Sequence, residues 1–465
     1  VFNYKLYALQ KLSRIGPRYR PFADVATENV PLSRLLRLSL FQVTVGMALV
    51  LLVGTLNRVM IVELRVPASL VSIMLALPLV FAPFRALIGY KSDTHRSAFG
   101  WRRVPFIWKG TLMQFGGFAV MPFALLVLSG YGEAVDAPIW LGHGSAALAF
   151  LMVGAGVHMV QTAGLALATD LVREEDQANV VGLMYVMLLV GMIISAFVFG
   201  LLLENYTPGR LIQVIQGAAV VTVILNVVAM WKQEGRDRAR ANSTATDPKF
   251  SDAWKAFAEV PDAMRLLVII GLGTAGFGMA EVLLEPFGGQ VLGMSVAATT
   301  KLTAVMAFGS LVGFAVASRV LSRDGNPARV SATGAAIGLP AFGVIILTSY
   351  MDNAALFAVA TLVVGLGAGL FGHGTLTATM RAAPREQVGL ALGSWGAVQA
   401  TAAGVAIAIG GVIRDGITSY SGEGGAAGAA YVPVFWIEIA LLGLAVAVLL
   451  PLILGRGSGQ TATRA

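Results

Sequence analysis

The chain has 465 residues, 57% of them hydrophobic and only 12% charged, with a mean hydropathy of +0.77, a composition that excludes an ordinary water-soluble enzyme. The formal charge of +8 is not a nucleic-acid signal, because most lysines and arginines sit in alternate loops between apolar runs. Those runs reach about 20 residues, enough to cross a hydrocarbon core of about 30 Å, and the absence of cysteine excludes disulfides, cysteine-ligated metals and thiol catalysis.

Residues 1–34 form a basic arm that includes Lys5, Lys11, Arg14, Arg18, Arg20 and Arg34, and they are too polar for a cleavable signal peptide. Six spans are expected near 35–57, 68–90, 104–129, 144–169, 179–203 and 211–231. The polar segment 232–263, with Arg236, Arg238, Arg240 and Lys249, reads as a linker, and its stretch Asp252–Glu259 as a short amphipathic helix on the membrane. Six more spans are expected near 265–286, 298–321, 330–350, 354–378, 388–413 and 433–454, followed by a tail, 455–465. The chain is therefore expected to be an all-α integral membrane protein with two six-helix bundles, 35–231 and 264–454. An even number of spans puts both termini on one side, and the basic arm makes that side cytoplasmic. The loops near 130–143 and 351–353 contain no Lys or Arg, as the other side requires.

The halves resemble each other. Gly46-Met-Ala-Leu-Val-Leu-Leu matches Gly278-Met-Ala-Glu-Val-Leu-Leu at six of seven positions, and Gly164, Thr169 and Gln177 recur as Gly374, Thr379 and Gln387. Two parallel repeats are a common transporter plan. Between the second and third spans lies Gly89-Tyr-Lys-Ser-Asp93-Thr-His-Arg96-Ser-Ala-Phe-Gly100-Trp-Arg102-Arg103. Its glycine allows close approach of helix ends, its aspartate accepts hydrogen bonds, and its arginines hold the loop at the basic side. This order of residues resembles the signature loop of the major facilitator superfamily, which implies a major facilitator fold of 12 helices.

Ionisable groups inside the spans are few. Glu281 and Glu285 share one face of the seventh helix by their spacing of four. Glu281 is expected past the midplane as a candidate coupling residue, and Glu285 near the outer surface. Asn57, Arg58 and Glu63 are candidate polar contacts at the outer end of the first helix. The midplane otherwise offers neutral groups: Gln114, His158 and Gln399, with His373 nearer the cytoplasmic end. A neutral imidazole is a common metal ligand, and a lone one suits the axial position of a chlorophyll-type magnesium. No two histidines have a pair spacing, so no protein-only metal site is expected. Glycine-rich faces such as Gly309-Ser-Leu-Val-Gly313 and Gly365-Leu-Gly-Ala-Gly369 suit close helix packing inside the bundle. Aromatics such as Trp101, Trp108, Trp140, Trp231 and Trp436 fall at span ends, as an interfacial belt does. No nucleophile–base arrangement, phosphate loop or zinc motif appears, so an enzyme is not expected.

A narrower resemblance rests on three stretches: Pro31-Leu-Ser-Arg-Leu-Leu-Arg-Leu-Ser-Leu-Phe-Gln-Val-Thr-Val-Gly-Met47, Gly54-Thr-Leu-Asn-Arg-Val-Met-Ile-Val-Glu-Leu64, and Ala82-Pro-Phe-Arg-Ala-Leu-Ile-Gly-Tyr-Lys-Ser-Asp-Thr-His-Arg96 continuing through Gly100-Trp-Arg-Arg-Val-Pro105. They are similar to the PucC/LhaA family, the bacteriochlorophyll delivery family of phototrophic bacteria. The resemblance implies an assembly factor for light-harvesting antennae in the intracytoplasmic photosynthetic membrane, with the LhaA-type, core-antenna member favoured. It implies bacteriochlorophyll a as cargo, with carotenoid or lipid as further candidates. Implied partners are antenna α and β subunits, reaction centre–core antenna intermediates, and the pigment-synthesis and membrane-insertion machinery; nucleic acid is not among them. Gly89, Asp93, Arg96, Gly100, Arg102 and Arg103 carry over as a conformational or structural loop. Two alternatives remain: a proton-coupled exporter of a small amphipathic solute, and a pigment-free chaperone for antenna helices.

Overall fold

A computed structural model of the chain describes residues 30–80, 88, 92, 101–130, 136–173, 176–235, 262–382, 388–421 and 427–454. Among these residues every regular element is helical. The first half contains α1 (Leu32–Glu63), α2 (Ala68–Val80), α3 (Val104–Ser129), α4 (Ile139–Asp170), α5 (Gln177–Leu202) and α6 (Pro208–Met230). The second contains α7 (Ala263–Gln290), α8 (Val296–Leu321), α9 (Pro327–Met351), α10 (Ala354–Ala382), α11 (Val388–Ser421) and α12 (Val432–Ile453). Eleven of these are apolar and long enough to cross a membrane. The remaining one, α2, is described over 13 residues. Most of the signature loop, the Asp252–Glu259 stretch and the C-terminal tail lie outside the described residues.

Two helices run further than hydropathy suggested. The first continues past Asn57 to Glu63, and α11 continues past 413 to Ser421. The outer ends of these two helices carry Asn57, Arg58, Glu63, Arg414 and Asp415. They stay helical because partners elsewhere in the protein meet Asn57, Arg58, Arg414 and Asp415. Within α1 the backbone widens to π-helical turns over Val50–Leu56 and Val59–Glu63, a geometry common at functional sites.

Packing repeats between the halves as the sequence repeat does. In the first half α3 packs along α4 and α6; in the second α9 packs along α10 and α12. Likewise α1 lies on α5 and α7 on α11. Gly46 approaches the Leu188 carbonyl of α5, and Gly278 sits beside Ala403 and Ala406 of α11, so the matching heptapeptides do the same job. The halves meet through α2 against α11 and α5 against α8. Hydrocarbon gives no hydrophobic drive between helices, so close packing and hydrogen bonds must hold them. The glycine faces of α8 and α10 supply the first: Gly309 and Gly313 face the Leu362 and Leu366 carbonyls, and Gly365 and Gly369 face those of Met306 and Ser310. A buried chain supplies the second, with Thr44 donating to Asn226 (2.8 Å) and Asn226 to Thr111 (2.9 Å) across α1, α6 and α3.

Gly365→Ala, which forces a methyl against the Met306 carbonyl, is expected to cost about 1–3 kcal/mol. Gly343→Ala, with open space around its Cβ position, is expected to be neutral or stabilising. Thermal unfolding of the two variants in detergent checks the contrast.

Candidate functional site

The halves touch most informatively in two places, a polar seal and a small cavity. The seal lies at the end of the bundle away from the basic arm. Pro286 interrupts α7 and cannot donate to the carbonyl four residues back, that of Val282. The Asn57 amide of α1 donates to that carbonyl instead. One residue on, Arg58 is buried, pairs with Glu63 and donates through Nη2 to the Met294 carbonyl at 3.0 Å. Thr55 and Thr300 share a hydrogen bond of 3.2 Å between α1 and α8. Lys301 of α8 pairs with Glu204 after α5 at 3.2 Å, and the Ser69 N–H at the start of α2 donates to Asp415 of α11 at 2.7 Å. The seal thus joins α1 to α7 and α8, α5 to α8, and α2 to α11.

Glu285, placed near the outer end of its helix by the helix rise, is buried behind this seal, 3% exposed. The Thr303 hydroxyl of α8 donates to its Oε1, and its Oε2 has no hydrogen-bond partner. Gly54 of α1 must be glycine here, since a Cβ would collide with Glu285 and Thr303. Glu281 lies one turn nearer the basic end and is half-buried. Outside the spans, burial and then the Glu63 charge push the Tyr206 hydroxyl up to about 12, against the opposing pull of Arg58.

The cavity, about 180 Å³, lies between α5, α8, α10 and α11. Tyr185, Ser310, Phe314, His373, Trp395 and Gln399 line it. Two of the four candidate pigment contacts, His373 and Gln399, are therefore brought together. The His373 ring lies against Phe314 with centroids 4.0 Å apart, and its Nδ1 is buried without a hydrogen-bond partner. Trp395 donates to the Thr375 hydroxyl at 3.2 Å. Tyr185 of the first half meets Trp395 of the second edge-on, with centroids 6.3 Å apart. The lining has the residue types a chlorophyll-type ring would use, an imidazole and aromatic side chains. The volume does not suit such a ring, since sites for drug-sized ligands occupy about 300–1,000 Å³. A macrocycle needs the halves to part further than they do in this arrangement.

The other candidates lie elsewhere. His158 is half-buried on α4 and does not line the cavity. Gln114 is wholly buried on α3 against Gly156 of α4, and neither of its amide atoms has a partner. Of the signature loop, Gly89, Asp93, Arg96 and Gly100 lie outside the described residues. Arg103 donates to Asp170 (3.1 Å) and Ser92 (2.6 Å), and Arg102 pairs with Asp170 at 3.4 Å, so this part of the loop ties α3 to the end of α4. Sequence reading missed Tyr185 and Trp395, although a tryptophan away from the span ends was a usable signal. It also missed Glu438, which is fully buried on α12 and accepts from the Ala280 N–H of α7 at 2.5 Å.

Twelve expected spans, paired halves and a cavity at their junction define a membrane protein of the major facilitator fold. A crystal structure of the nucleoside transporter NupG matches it with a TM-score of 0.67 at 13% identity, covering 90% of this chain and 99% of that one. A bacterial homolog of the human lysosomal transporter Spinster, in an inward-facing and unoccupied conformation, matches at a TM-score of 0.62 and 16% identity, over 90% of this chain and 96% of that one. These likenesses show the fold alone. The sequence itself matches the PUCC protein family over residues 55–457. It is 63% identical to Protein PucC of Rhodobacter capsulatus over 97% of this chain and 99% of that one, and 65% identical to Protein PucC of Rhodovulum sulfidophilum over 88% and 91%. It is 27% identical to the bacteriochlorophyll synthase 44.5 kDa chain of Rhodobacter capsulatus over 80% and 85%. The chain belongs to the PucC family.

Asn57→Leu leaves the Val282 carbonyl without a donor and is expected to destabilise the protein by about 1–3 kcal/mol. Adding Pro286→Ala, which restores the donor within α7, is expected to recover most of that loss, and a double-mutant cycle on melting temperature measures the coupling. Tyr206 has a folded pKa above its unfolded value of about 10, so its contribution to stability is full below pH 10 and fades as pH rises towards 12. Alkaline titration at the phenolate absorbance is expected to lose one late-ionising tyrosine in Tyr206→Phe.

Proposed function

We propose that the protein assembles bacterial light-harvesting antennae by binding bacteriochlorophyll and passing it to antenna α and β polypeptides during their insertion. Membership of the PucC family supports the antenna role, and kinship with a protein named as a bacteriochlorophyll synthase chain supports the pigment. The observation that carries the reading is His373, a histidine with an unpartnered Nδ1 that lines an aromatic cavity at the junction of the halves. Bacteriochlorophyll would supply a magnesium that takes one nitrogen ligand; His373 would provide that nitrogen, with Phe314, Trp395 and Gln399 as the other lining contacts. The ring is too large for the cavity as it stands, about 180 Å³, so loading requires Tyr185 and Trp395 to separate.

The bundles 35–231 and 264–454 move as two bodies joined by the linker 232–263, with the basic arm and both termini in the cytoplasm. The Lys and Arg distribution supports that orientation. The setting is the intracytoplasmic photosynthetic membrane, and the partners are antenna subunits, core-assembly intermediates and the pigment-synthesis and insertion machinery. The core antenna is the favoured target; the PucC names of the relatives add no weight to an LhaA-type member. Carotenoid or lipid are secondary cargoes. One observation favours a second reading, proton-coupled export: buried Glu285, with a free carboxyl oxygen, sits at the seam of the halves.

The protein purified gently from its phototrophic membrane is expected to carry bacteriochlorophyll absorption and antenna α and β chains identifiable by mass spectrometry. His373→Leu is expected to lower pigment retention at least tenfold, whereas His158→Leu and Gln114→Leu leave it unchanged. Antenna chains without pigment would leave the chaperone reading. Neither pigment nor antenna, together with pH-gradient-driven flux lost in Glu285→Gln, would establish the exporter instead. Core and peripheral antenna chains are told apart by their masses.

A further inference from the structure

A second, larger cavity, about 530 Å³, lies at the basic end of the first half, where α1 and α3 begin and α6 ends. Its lining includes two kinds of side chain: polar or cationic Arg34, Lys232 and Gln233, and apolar or aromatic Trp101, Val104, Val227, Met230 and Trp231. Arg34 is held in place by Gln233, donating through Nε to Oε1 at 3.1 Å and through Nη2 to the backbone carbonyl at 2.8 Å. Lys232 is exposed and lies just beyond the end of α6.

Glu234 also lines this cavity, but its charge is already engaged. Its carboxylate accepts from the backbone N–H groups of Arg102 (2.7 Å), Arg103 (3.0 and 3.1 Å) and Val104 (3.0 Å). These are the donors left over at the start of α3, and they offset the negative charge where it sits. The cationic side chains on the lining are Arg34 and Lys232.

The apolar lining continues down the membrane. Leu112 and Phe115 of α3 and Ile224 and Val228 of α6 are exposed, so they face hydrocarbon below the cavity. Trp231 is 60% exposed at the point where α6 leaves the membrane, the level at which tryptophan marks the headgroup region. Cations above, an indole belt at the rim and an apolar surface below follow the order of a phospholipid: phosphate, glycerol, acyl chain. Basic pockets between spanning helices are suited to anionic headgroups, and the volume lies within the range of small-molecule sites, about 300–1,000 Å³.

We propose that this cavity binds the headgroup of an anionic phospholipid from the adjoining leaflet, with its phosphate between Arg34 and Lys232 and its acyl chains along α3 and α6. A zwitterionic lipid brings its own cation against these two and is disfavoured. The lipid would brace the junction of α1, α3 and α6, beside the Glu234 contact that fixes the start of α3.

The test uses the full chain in detergent, mixed with equal amounts of phosphatidylglycerol and phosphatidylcholine and read by native mass spectrometry. The wild type is expected to retain phosphatidylglycerol preferentially. Lys232→Gln is expected to weaken that retention about fivefold, the equivalent of about 1 kcal/mol for one interfacial cation, and Lys232→Arg to keep it. Arg34→Gln also removes the bonds to Gln233, so it is interpreted only if its melting temperature is unchanged. Equal retention of both lipids, or a Lys232→Gln variant indistinguishable from wild type, would overturn the proposal. Displacement of the bound lipid by millimolar inorganic phosphate would identify a free-phosphate site instead. A wild type that retains neither lipid contradicts it and leaves the cavity to another part of the chain or to a partner protein.

Discussion

In α7, Pro286 removes the hydrogen bond that Val282 would accept inside its own helix, and hydrocarbon offers no water to replace it. The donor comes from Asn57, so α1 must lie against α7 at that level, and the π-helical turns of α1 occur in the same stretch. Arg58 and Thr55 then fall on the Met294 carbonyl and Thr300, and the missing side chain of Gly54 admits Glu285 and Thr303. A single unpaired carbonyl thus sets the register between the halves. The contacts of α5 with α8 and of α2 with α11 close around it.

Such a seal is strong but reversible. Its members are hydrogen bonds and ion pairs near the membrane surface, where water can replace them when the halves separate; a greasy interface has no such exchange. The cavity of His373 lies deeper, on the basic side of the seal. Its boundary includes an aromatic contact between halves, Tyr185 on Trp395, which commits few polar groups. The asymmetry suits a protein that keeps one end latched and opens the other to a large flat ligand. Under the proposed pigment role the cavity would need no carboxylate: ligation and release ask for one nitrogen ligand, which an imidazole supplies.

Much of this was legible beforehand, and the reasons for the rest are physical. Length and hydropathy set twelve spans because the bilayer imposes them, and the repeat Gly46–Leu52 against Gly278–Leu284 located equivalent packing positions. His373 and Gln399 were legible as rare polar groups in apolar helices. Their convergence was not, because it depends on how α10 and α11 rotate. Asn57 and Arg58 looked like the end of a helix, since hydropathy does not know that a proline 229 positions away has left a carbonyl waiting. Glu438 was invisible for a similar reason: one acidic residue in a long apolar run has no pattern until its partner, the Ala280 N–H, is in view.

If pigment binds at His373 as proposed, the basic end should open while the seal stays shut. The chain contains no cysteine, so pairs of spin labels can be introduced directly. One pair, Asn179→Cys with Met380→Cys, spans the basic ends of α5 and α10; another, Leu202→Cys with Met351→Cys, spans the opposite ends of α5 and α9. Pulsed-dipolar distances before and after adding bacteriochlorophyll test the claim most directly. The account predicts that the first distance lengthens, the second holds, and neither moves in a His373→Leu background. A first distance that ignores pigment, or one that lengthens equally without His373, would contradict it.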